Sequence, residues 1–210
     1  MTIPTIVFAK APQPGEVKTR LIPALGAAGA ARLHERLVER ALATAAGAAI
    51  GPVELCCAPD ASDPVLAALA RAHGAVLAPQ GPGDLGDRMR AAFQRTLARA
   101  PAAIVIGCDC PALTPEHLRE AGRALDTGYD AALAPAEDGG YVLIGLARVT
   151  DRLFNGVRWG ESTVMAETRK RLAALGWRWR ELETLWDLDR PEDLTRLEPP
   201  ADGDPRRESR

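Results

Sequence analysis

An aspartate stands where a buried strand is expected to end. Residues 104–106 are Ile-Val-Ile, a run typical of a strand buried on both faces. Thr114 and Pro115 are typical of a helix N-cap followed by proline in the first turn. Asp109 lies between these signals, at the strand's carboxyl end, where ligands bind in open α/β sheets. Its carboxylate is therefore a candidate metal ligand, although it could instead only cap the following turn.

A loop early in the chain brings three cations within eleven residues. Residues 10–20 contain two prolines and a glycine, which exclude regular structure. Backbone N–H groups made accessible by Gly15, together with the charges of Lys10, Lys18 and Arg20, suit a diphosphate or triphosphate. The alternative is a solvated turn with scattered charges.

Three further stretches combine turn residues with charge. Residues 80–89 include three glycines in six residues, which implies close approach of either a ligand or the first loop. Asp138 precedes two glycines, a strong turn signal, and is a candidate general base beside the space that the glycines leave. Its alternative role is to nucleate a tight turn. Asp187 and Asp189 alternate along an extended segment, so both should face the same side.

These residues need a scaffold of alternating strands and helices. Such alternation predicts a three-layer α/β/α fold with a mostly parallel sheet. The short turn at 138–140 predicts one antiparallel strand. Strands are predicted over 5–9, 53–58, 75–77, 104–106, 130–135, 142–146 and 177–180, and helices over 27–46, 63–73, 89–100, 115–125 and 163–175, with a last short helix from Pro191.

Composition indicates one globular domain. The chain has 210 residues, 47% of them hydrophobic, and a net charge of -2. We assign residues 1–197 to a single domain and expect residues 198–210, which are polar and contain proline, to be a disordered tail. The charge gives no reason to expect nucleic acid or membrane partners. Without a basic leader or a long apolar run, the protein is expected in the cytoplasm.

Cysteines and histidines give no further candidates. The four cysteines lie in or beside predicted strands, so a disulfide framework is not expected. A soft-metal site at Cys108 and Cys110 is disfavoured because no histidine accompanies them in the sequence. Histidines on predicted helices among charged neighbours are expected at the surface; these are His34, His73 and His117.

Taken in order, the loop motifs resemble the nucleotide-diphospho-sugar transferase superfamily. The motifs lie at 9–12, 15–21, 86–89, 107–111, 138–141 and 159–160. More narrowly, residues 3–197 are similar to small bacterial stand-alone glycosyltransferases of the arsenosugar-biosynthesis or selenium-domain-associated type, which are related to 2-phospholactate guanylyltransferases. The resemblance implies a Rossmann-like GT-A fold, Mg²⁺ or Mn²⁺, and a nucleotide over the carboxyl ends of the first and fourth strands.

The resemblance also implies residue roles. Asp109 matches the metal-binding acid, but Cys110 and Pro111 follow it where sugar transferases carry Asp-x-Asp, so Asp187 and Asp189 are expected to complete the metal site. The nucleotide-binding residues would be Lys10, Gly15, Lys18, Thr19, Arg20, Gly86 and Arg88. Asp138 would act as catalytic base on the acceptor side, and the acceptor-binding residues would be Gly139, Gly140, Tyr141, Trp159, Gly160 and Ser162.

Two reactions follow from this comparison. The favoured one is transfer of a sugar from a nucleotide sugar to a small-molecule acceptor, with release of a nucleoside diphosphate. The alternative is transfer of a nucleotidyl group from an NTP with release of pyrophosphate, because residues 18–21 also resemble a nucleotidyltransferase phosphate loop. A nucleotide-binding module without catalysis would not need the acidic residues.

Overall fold

A computed structural model describes residues 1–197 of the chain; the predicted tail lies outside the described residues. The strands are β1 (Thr5–Lys10), β2 (Val53–Ala58), β3 (Val76–Pro79), β4 (Ala103–Ile106), β5 (Ala131–Pro135), β6 (Tyr141–Leu146) and β7 (Trp179–Glu181). The helices are α1 (Ile22–Ala48), α2 (Pro64–Ala72), α3 (Leu85–Leu97), α4 (Pro115–Asp126), α5 (Asp151–Phe154) and α6 (Val164–Ala174), with 3-10 turns at Thr19–Leu21 and Pro191–Arg196.

All seven strands join one sheet in the order β3-β2-β1-β4-β6-β5-β7. β1 pairs in parallel with both β2 and β4, and β5 pairs in parallel with β7. β6 runs antiparallel to β4 and β5 because the short turn at 136–140 reverses the chain. The mostly parallel sheet with an antiparallel strand was predicted correctly.

Helices cover both faces of the sheet. On one face, α1, α2 and α4 pack side chains such as Leu42, Leu66 and Leu118 against the strands. On the other face, α3, α5 and α6 contribute Phe93, Phe154 and Leu172 among others. Burial of both sheet faces explains the continuous apolar run of β4. The three-layer prediction is therefore confirmed.

Side-chain caps fix where the site-bearing helices begin. The Asp84 carboxylate accepts a hydrogen bond from the Asp87 backbone N–H, and the Asp87 side chain caps the Asp84 N–H in return. Thr114 and His117 form the equivalent box at the start of α4, which begins with proline as predicted. α1 begins earlier than predicted, at Ile22, because the non-helical Gly26 kinks the helix without ending it.

The single sheet supports the assignment of residues 1–197 to one domain, which stays a proposal. Within the described residues, no helix has the length and apolar character needed to cross a bilayer. The cytoplasmic location stays a prediction.

Candidate functional site

Neighbouring parallel strands bring the two main candidate regions to one edge of the sheet. β1 and β4 pair in register from Thr5 and Ile104, so the loops that follow both strands leave at the same edge. Between these loops lies a cleft of about 600 Å³. Asp109 lines it together with residues of the first loop, the glycine-rich loop and its helix, α1, and the segment after β7: Lys10, Lys18, Thr19, Arg20, Gln80, Arg88, His34 and Asp189. We name this space the nucleotide cleft.

Lys18 is the counter-ion of Asp109. Its ammonium lies 2.8 Å from Asp109 Oδ1, with the side chain only 3% exposed. The same ammonium donates a hydrogen bond to the Leu188 carbonyl. Lys18 takes a left-handed backbone conformation with φ of 48°. The phosphate-loop interpretation treats Lys18 as an exposed cation, and this is wrong: its side chain is buried and its ammonium pairs with the half-exposed carboxylate of Asp109.

The other predicted phosphate contacts are more open. Arg20 is exposed and pairs with Asp189. Arg88 donates from Nε to the Gly83 carbonyl at 3.0 Å and approaches the Gln80 side-chain oxygen at 3.4 Å. Lys10 is exposed at the end of β1. The cleft therefore has cations at its walls.

A second space, the acidic pocket, adjoins the nucleotide cleft. It measures about 360 Å³ and shares Arg20 and Asp189 with the cleft. Five acids and three arginines line it with two small residues: Glu137, Asp138, Asp187, Asp189, Asp193, Arg20, Arg190, Arg196, Gly160 and Ser162. Glu137 pairs with Arg196, so these two charges cancel. The remaining acids outnumber the remaining arginines, so the rest of the pocket is negatively charged.

Asp187 connects the acidic pocket to Asp109. Burial, and then the charges of Asp109 and Asp138, raise the pKa of Asp187 to about 7. The nearby Lys18 opposes this rise only in part. The charges of Asp109 and Asp138 are thus close enough to disfavour the ionisation of Asp187. The sequence did predict that Asp187 and Asp189 would face the same region, and both line this pocket.

Asp138 is both a turn residue and a pocket residue. Its Oδ1 accepts a hydrogen bond from the Gly140 N–H at 2.9 Å, the turn-forming role that was the alternative reading. Its side chain also lines the acidic pocket. Gly139, however, leaves no room for substrate, because a Cβ there would lie 2.0 Å from the Ser162 carbonyl oxygen. Its own carbonyl accepts from Met165 N–H at 2.8 Å, so this glycine is required for packing.

Other motif residues also pack rather than line a cavity. The Tyr141 and Trp159 rings meet edge to face with centroids 6.4 Å apart. A Cβ on Gly86 would lie 2.6 Å from Trp159 Nε1, so a glycine is needed at this position to leave room for the Trp159 indole. We name these three residues the glycine–aromatic contact. They line neither the nucleotide cleft nor the acidic pocket, and neither does Gly15, whose φ of 89° serves the turn. The ligand contacts expected of these four residues therefore stay predictions that neither space supports.

The sequence analysis missed His34. This residue is only 5% exposed and lies at the nucleotide cleft, so its expected surface position is wrong. Burial lowers the pKa of His34, although Asp109 opposes the shift. The available signal was its position on the apolar face of α1, four residues from both Ala30 and Val38, which its charged neighbours obscured.

Two of the acids have the ligand chemistry of a hard divalent cation. Asp109 and Asp187 supply carboxylate oxygens, the ligands that Mg²⁺ and Mn²⁺ prefer, although no three acids among residues 1–197 bring their ligand atoms within 4.8 Å of one another. Burial, and then the charges of Asp109 and Asp138, raise the pKa of Asp187, and Lys18 opposes this only in part. A divalent cation held by Asp109 and Asp187 would favour the ionised form of Asp187.

Comparison with known proteins agrees with this fold. A family model described as an uncharacterized protein conserved in bacteria (DUF2064) matches residues 41–161. A solved structure from Desulfovibrio desulfuricans G20, provisionally assigned as a nucleotide-diphospho-sugar transferase, is 31% identical with a TM-score of 0.81, covering 90% of this chain and 83% of that one. Comparison with curated proteins finds no match.

More distant structures share the fold alone. Glucosyl-3-phosphoglycerate synthase from Mycobacterium tuberculosis, in complex with Mn²⁺, UDP and glucosyl-3-phosphoglycerate, is 12% identical with a TM-score of 0.58, covering 92% of this chain and 74% of that one. A nucleotidyl transferase from Methanothermobacter is 13% identical with a TM-score of 0.60, covering 93% and 96%. The predicted GT-A-like nucleotide-diphospho-sugar transferase fold is confirmed.

Proposed function

The chain belongs to the DUF2064 family of bacterial proteins, and we propose that it is a metal-dependent glycosyltransferase with a nucleotide-sugar donor and a small-molecule acceptor. The transferase class predicted from the sequence is confirmed by the 31% identical relative, which places the chain among nucleotide-sugar-related transferases. The sugar transfer itself is the proposal.

The observation that carries the proposal is the pairing of two spaces of different charge. The nucleotide cleft has Lys10, Arg20 and Arg88 at its walls, which suits the phosphates of a nucleotide. The acidic pocket beside it favours a hydroxyl-bearing or cationic acceptor over a phosphorylated one. A donor in the cleft and an acceptor in the pocket would meet near Asp109 and Asp189.

Asp109 and Asp187 would hold the divalent ion, Mg²⁺ or Mn²⁺, with Asp189 as a further acid. The ion would supply neutralisation of the charge that develops on the departing diphosphate. Lys18 neutralises part of the carboxylate charge of the site, since its ammonium is fixed against Asp109. Binding of a second cation at Asp109 requires that Lys18 share or leave this carboxylate.

Asp138 is our candidate for the base that removes the acceptor's hydroxyl proton. Its Oδ1 is held by the Gly140 N–H, which orients the carboxylate toward a fixed direction. Gly160 and Ser162 lie across the same pocket, where an acceptor would be positioned. We propose these two residues as acceptor contacts.

Nucleotidyl transfer remains the second candidate, because the cations lining the nucleotide cleft would also suit a triphosphate. The burial of Lys18 against Asp109 weakens the likeness of residues 18–21 to a phosphate loop. The acidic pocket would also repel the phosphorylated acceptors of many nucleotidyl transfers. Both points favour sugar transfer.

Product analysis separates the two reactions. The full chain is incubated with Mn²⁺ or Mg²⁺ and a panel of nucleotide sugars and NTPs, together with hydroxyl-bearing small molecules, and phosphorus NMR follows the products. We expect release of a nucleoside diphosphate that stops in Asp109→Asn and continues in Asp126→Asn, an exposed aspartate at the end of α4.

Release of pyrophosphate from an NTP, without diphosphate release from any nucleotide sugar, would establish the nucleotidyl reaction instead. The narrower arsenosugar or selenium-associated branch stays a prediction from the loop motifs. An acceptor panel that includes organoarsenic and organoselenium alcohols tests it directly.

A further inference from the structure

Three potential soft-metal ligands meet at the floor of the nucleotide cleft. A ring nitrogen of His34, the sulfur of Cys108 and a carboxylate oxygen of Asp109 all lie within 4.8 Å of one another. His34 comes from α1, while the other two residues follow β4. A soft-metal site at Cys108 and Cys110 was disfavoured because no histidine accompanies them in the sequence, but the fold brings His34 to Cys108 from 74 residues away in the chain.

The hydrogen bonding of His34 is suited to a metal ligand. Nε2 lies 3.0 Å from the Lys10 carbonyl oxygen, which can only accept, so Nε2 carries the proton. In the neutral ring Nδ1 then keeps its lone pair. This atom is buried and has no hydrogen-bond partner among residues 1–197. Metal-ligating histidines characteristically donate their other N–H to a carbonyl or carboxylate, which fixes the ring.

Cys108 provides a second ligand that, like a histidine nitrogen, binds zinc-like ions in preference to Mg²⁺. Its side chain is buried, and its sulfur lies 3.5 Å from Asp109 Oδ1. Nitrogen, sulfur and carboxylate ligands together are typical of zinc sites, whereas Mg²⁺ prefers oxygen alone. Cys110 is not part of the group. β4 ends at Ile106, so residues 108 and 110 are not held on one face by strand geometry.

We propose that His34, Cys108 and Asp109 bind one thiophilic divalent cation of the Zn²⁺ or Co²⁺ type. On binding, the Cys108 thiol releases its proton to solvent, and the thiolate, the neutral imidazole and the carboxylate donate to the ion. All three residues line the nucleotide cleft, and a zinc site with three protein ligands leaves a fourth position open. A phosphate oxygen or water can take that position.

Two consequences follow for Asp109. Its carboxylate is shared between this site and the proposed Mg²⁺ or Mn²⁺ site, so the soft and hard cations exclude each other there. Lys18 must also give up its contact with Oδ1 when that oxygen is the ligand. The site goes beyond the proposed transferase function, and its existence does not depend on which group is transferred.

Cobalt absorption tests the site without nucleotide or acceptor. The reduced full-length protein, freed of metal, is titrated with Co²⁺, and the near-ultraviolet thiolate-to-cobalt charge-transfer band is recorded with Cys108→Ser, His34→Gln and the matched control Cys110→Ser. Circular dichroism melting checks that each variant is folded. We expect a stoichiometric band in the wild type and in Cys110→Ser, its loss in Cys108→Ser, and affinity lower by about tenfold or more in His34→Gln.

The proposal is overturned by a wild-type protein without the band, or by a band that persists in Cys108→Ser. Unchanged affinity in His34→Gln also overturns it. If Cys108→Ser does not fold, His34→Gln and wild-type titration still decide the outcome. Because no substrate is present, a negative result leaves the transferase proposal standing, and failed turnover leaves the cation site standing.

Discussion

Two regions that carry motif residues differ in what their side chains can do. Around Asp109, the Lys18 ammonium has a carboxylate partner that a ligand could replace, and burial with neighbouring charges raises the pKa of Asp187. In the glycine–aromatic contact, Gly86, Tyr141 and Trp159 are positioned by steric packing against one another. The difference shows that a motif residue contributes either chemistry or position. It also predicts that substitutions in the first region change binding and turnover, while those in the second change stability.

The largest expected effect is on stability, at Gly139. Gly139→Ala places a Cβ against the Ser162 carbonyl at a φ of 90°, so we expect a loss of about 3 kcal/mol or more in the free energy of unfolding. Gly160→Ala is the matched control: its φ is 82°, but no atom lies within 4 Å of the new Cβ. We expect about 1 kcal/mol there. Urea unfolding measures the free energy of unfolding of both variants. Equal losses in the two would contradict the steric role of Gly139.

Asp138→Asn should act on chemistry instead. Asparagine keeps an oxygen that can accept from the Gly140 N–H, so the turn survives while the base is lost. We expect transfer to acceptor to slow roughly a hundredfold, with unchanged nucleotide binding. Asp126→Asn, an exposed aspartate at the end of α4 and remote from both spaces, is the control and should stay near wild type. Near-normal turnover of Asp138→Asn would exclude the general-base role and show that Asp138 only forms the turn.

The pH dependence of stability should reveal Asp187. Because its pKa is raised from 3.8 to about 7, the folded protein holds this proton more tightly than the unfolded chain does. Asp187 therefore contributes stability to the metal-free protein that is lost as pH rises across that interval and is gone above it. Asp187→Asn should remove on the order of 1 kcal/mol or more of this loss. The groups facing Asp187 are Asp109, Asp138, Asp189 and Lys18.

Thermal unfolding of both proteins in chelator, from pH 4 to pH 8, makes the comparison. Parallel curves would mean that Asp187 is ionised normally in the fold. Asp130→Asn is a suitable control, because Asp130 lies away from the cleft and pairs with Arg148.

The smallest effect should come from Tyr141→Phe. The hydroxyl's closest polar neighbour is the sulfur of Met89 at 4.0 Å, and burial raises the pKa of Tyr141. We expect a stability change within about 0.5 kcal/mol and unaltered kcat/KM. A tenfold loss of kcat/KM without a change in stability would restore the acceptor contact that the motif predicted.

Local sequence signals were sufficient for the scaffold. The apolar run of β4 and the Thr114–Pro115 helix start each depend on neighbouring residues, so their positions could be predicted. Both placed Asp109 correctly at the sheet edge.

Long-range contacts account for what was missed. The burial of Lys18 depends on the Leu188 carbonyl, 170 residues away. The steric need for Gly139 comes from Ser162, and that for Gly86 from Trp159. No pattern within either glycine's own segment carries that information. His34 is different, because its place on the apolar face of α1 was visible in the sequence.

The central claim is that Asp109 is the centre of metal-dependent nucleotide binding. Calorimetric titration with UDP, GDP, ADP and CDP, each with Mn²⁺ and with chelator, tests it on the wild type, Asp109→Asn and the remote control Asp126→Asn. We predict binding that requires Mn²⁺ in the wild type and the control, and that weakens about a hundredfold in Asp109→Asn. Binding that is independent of Mn²⁺ and equal in all three proteins would contradict the claim.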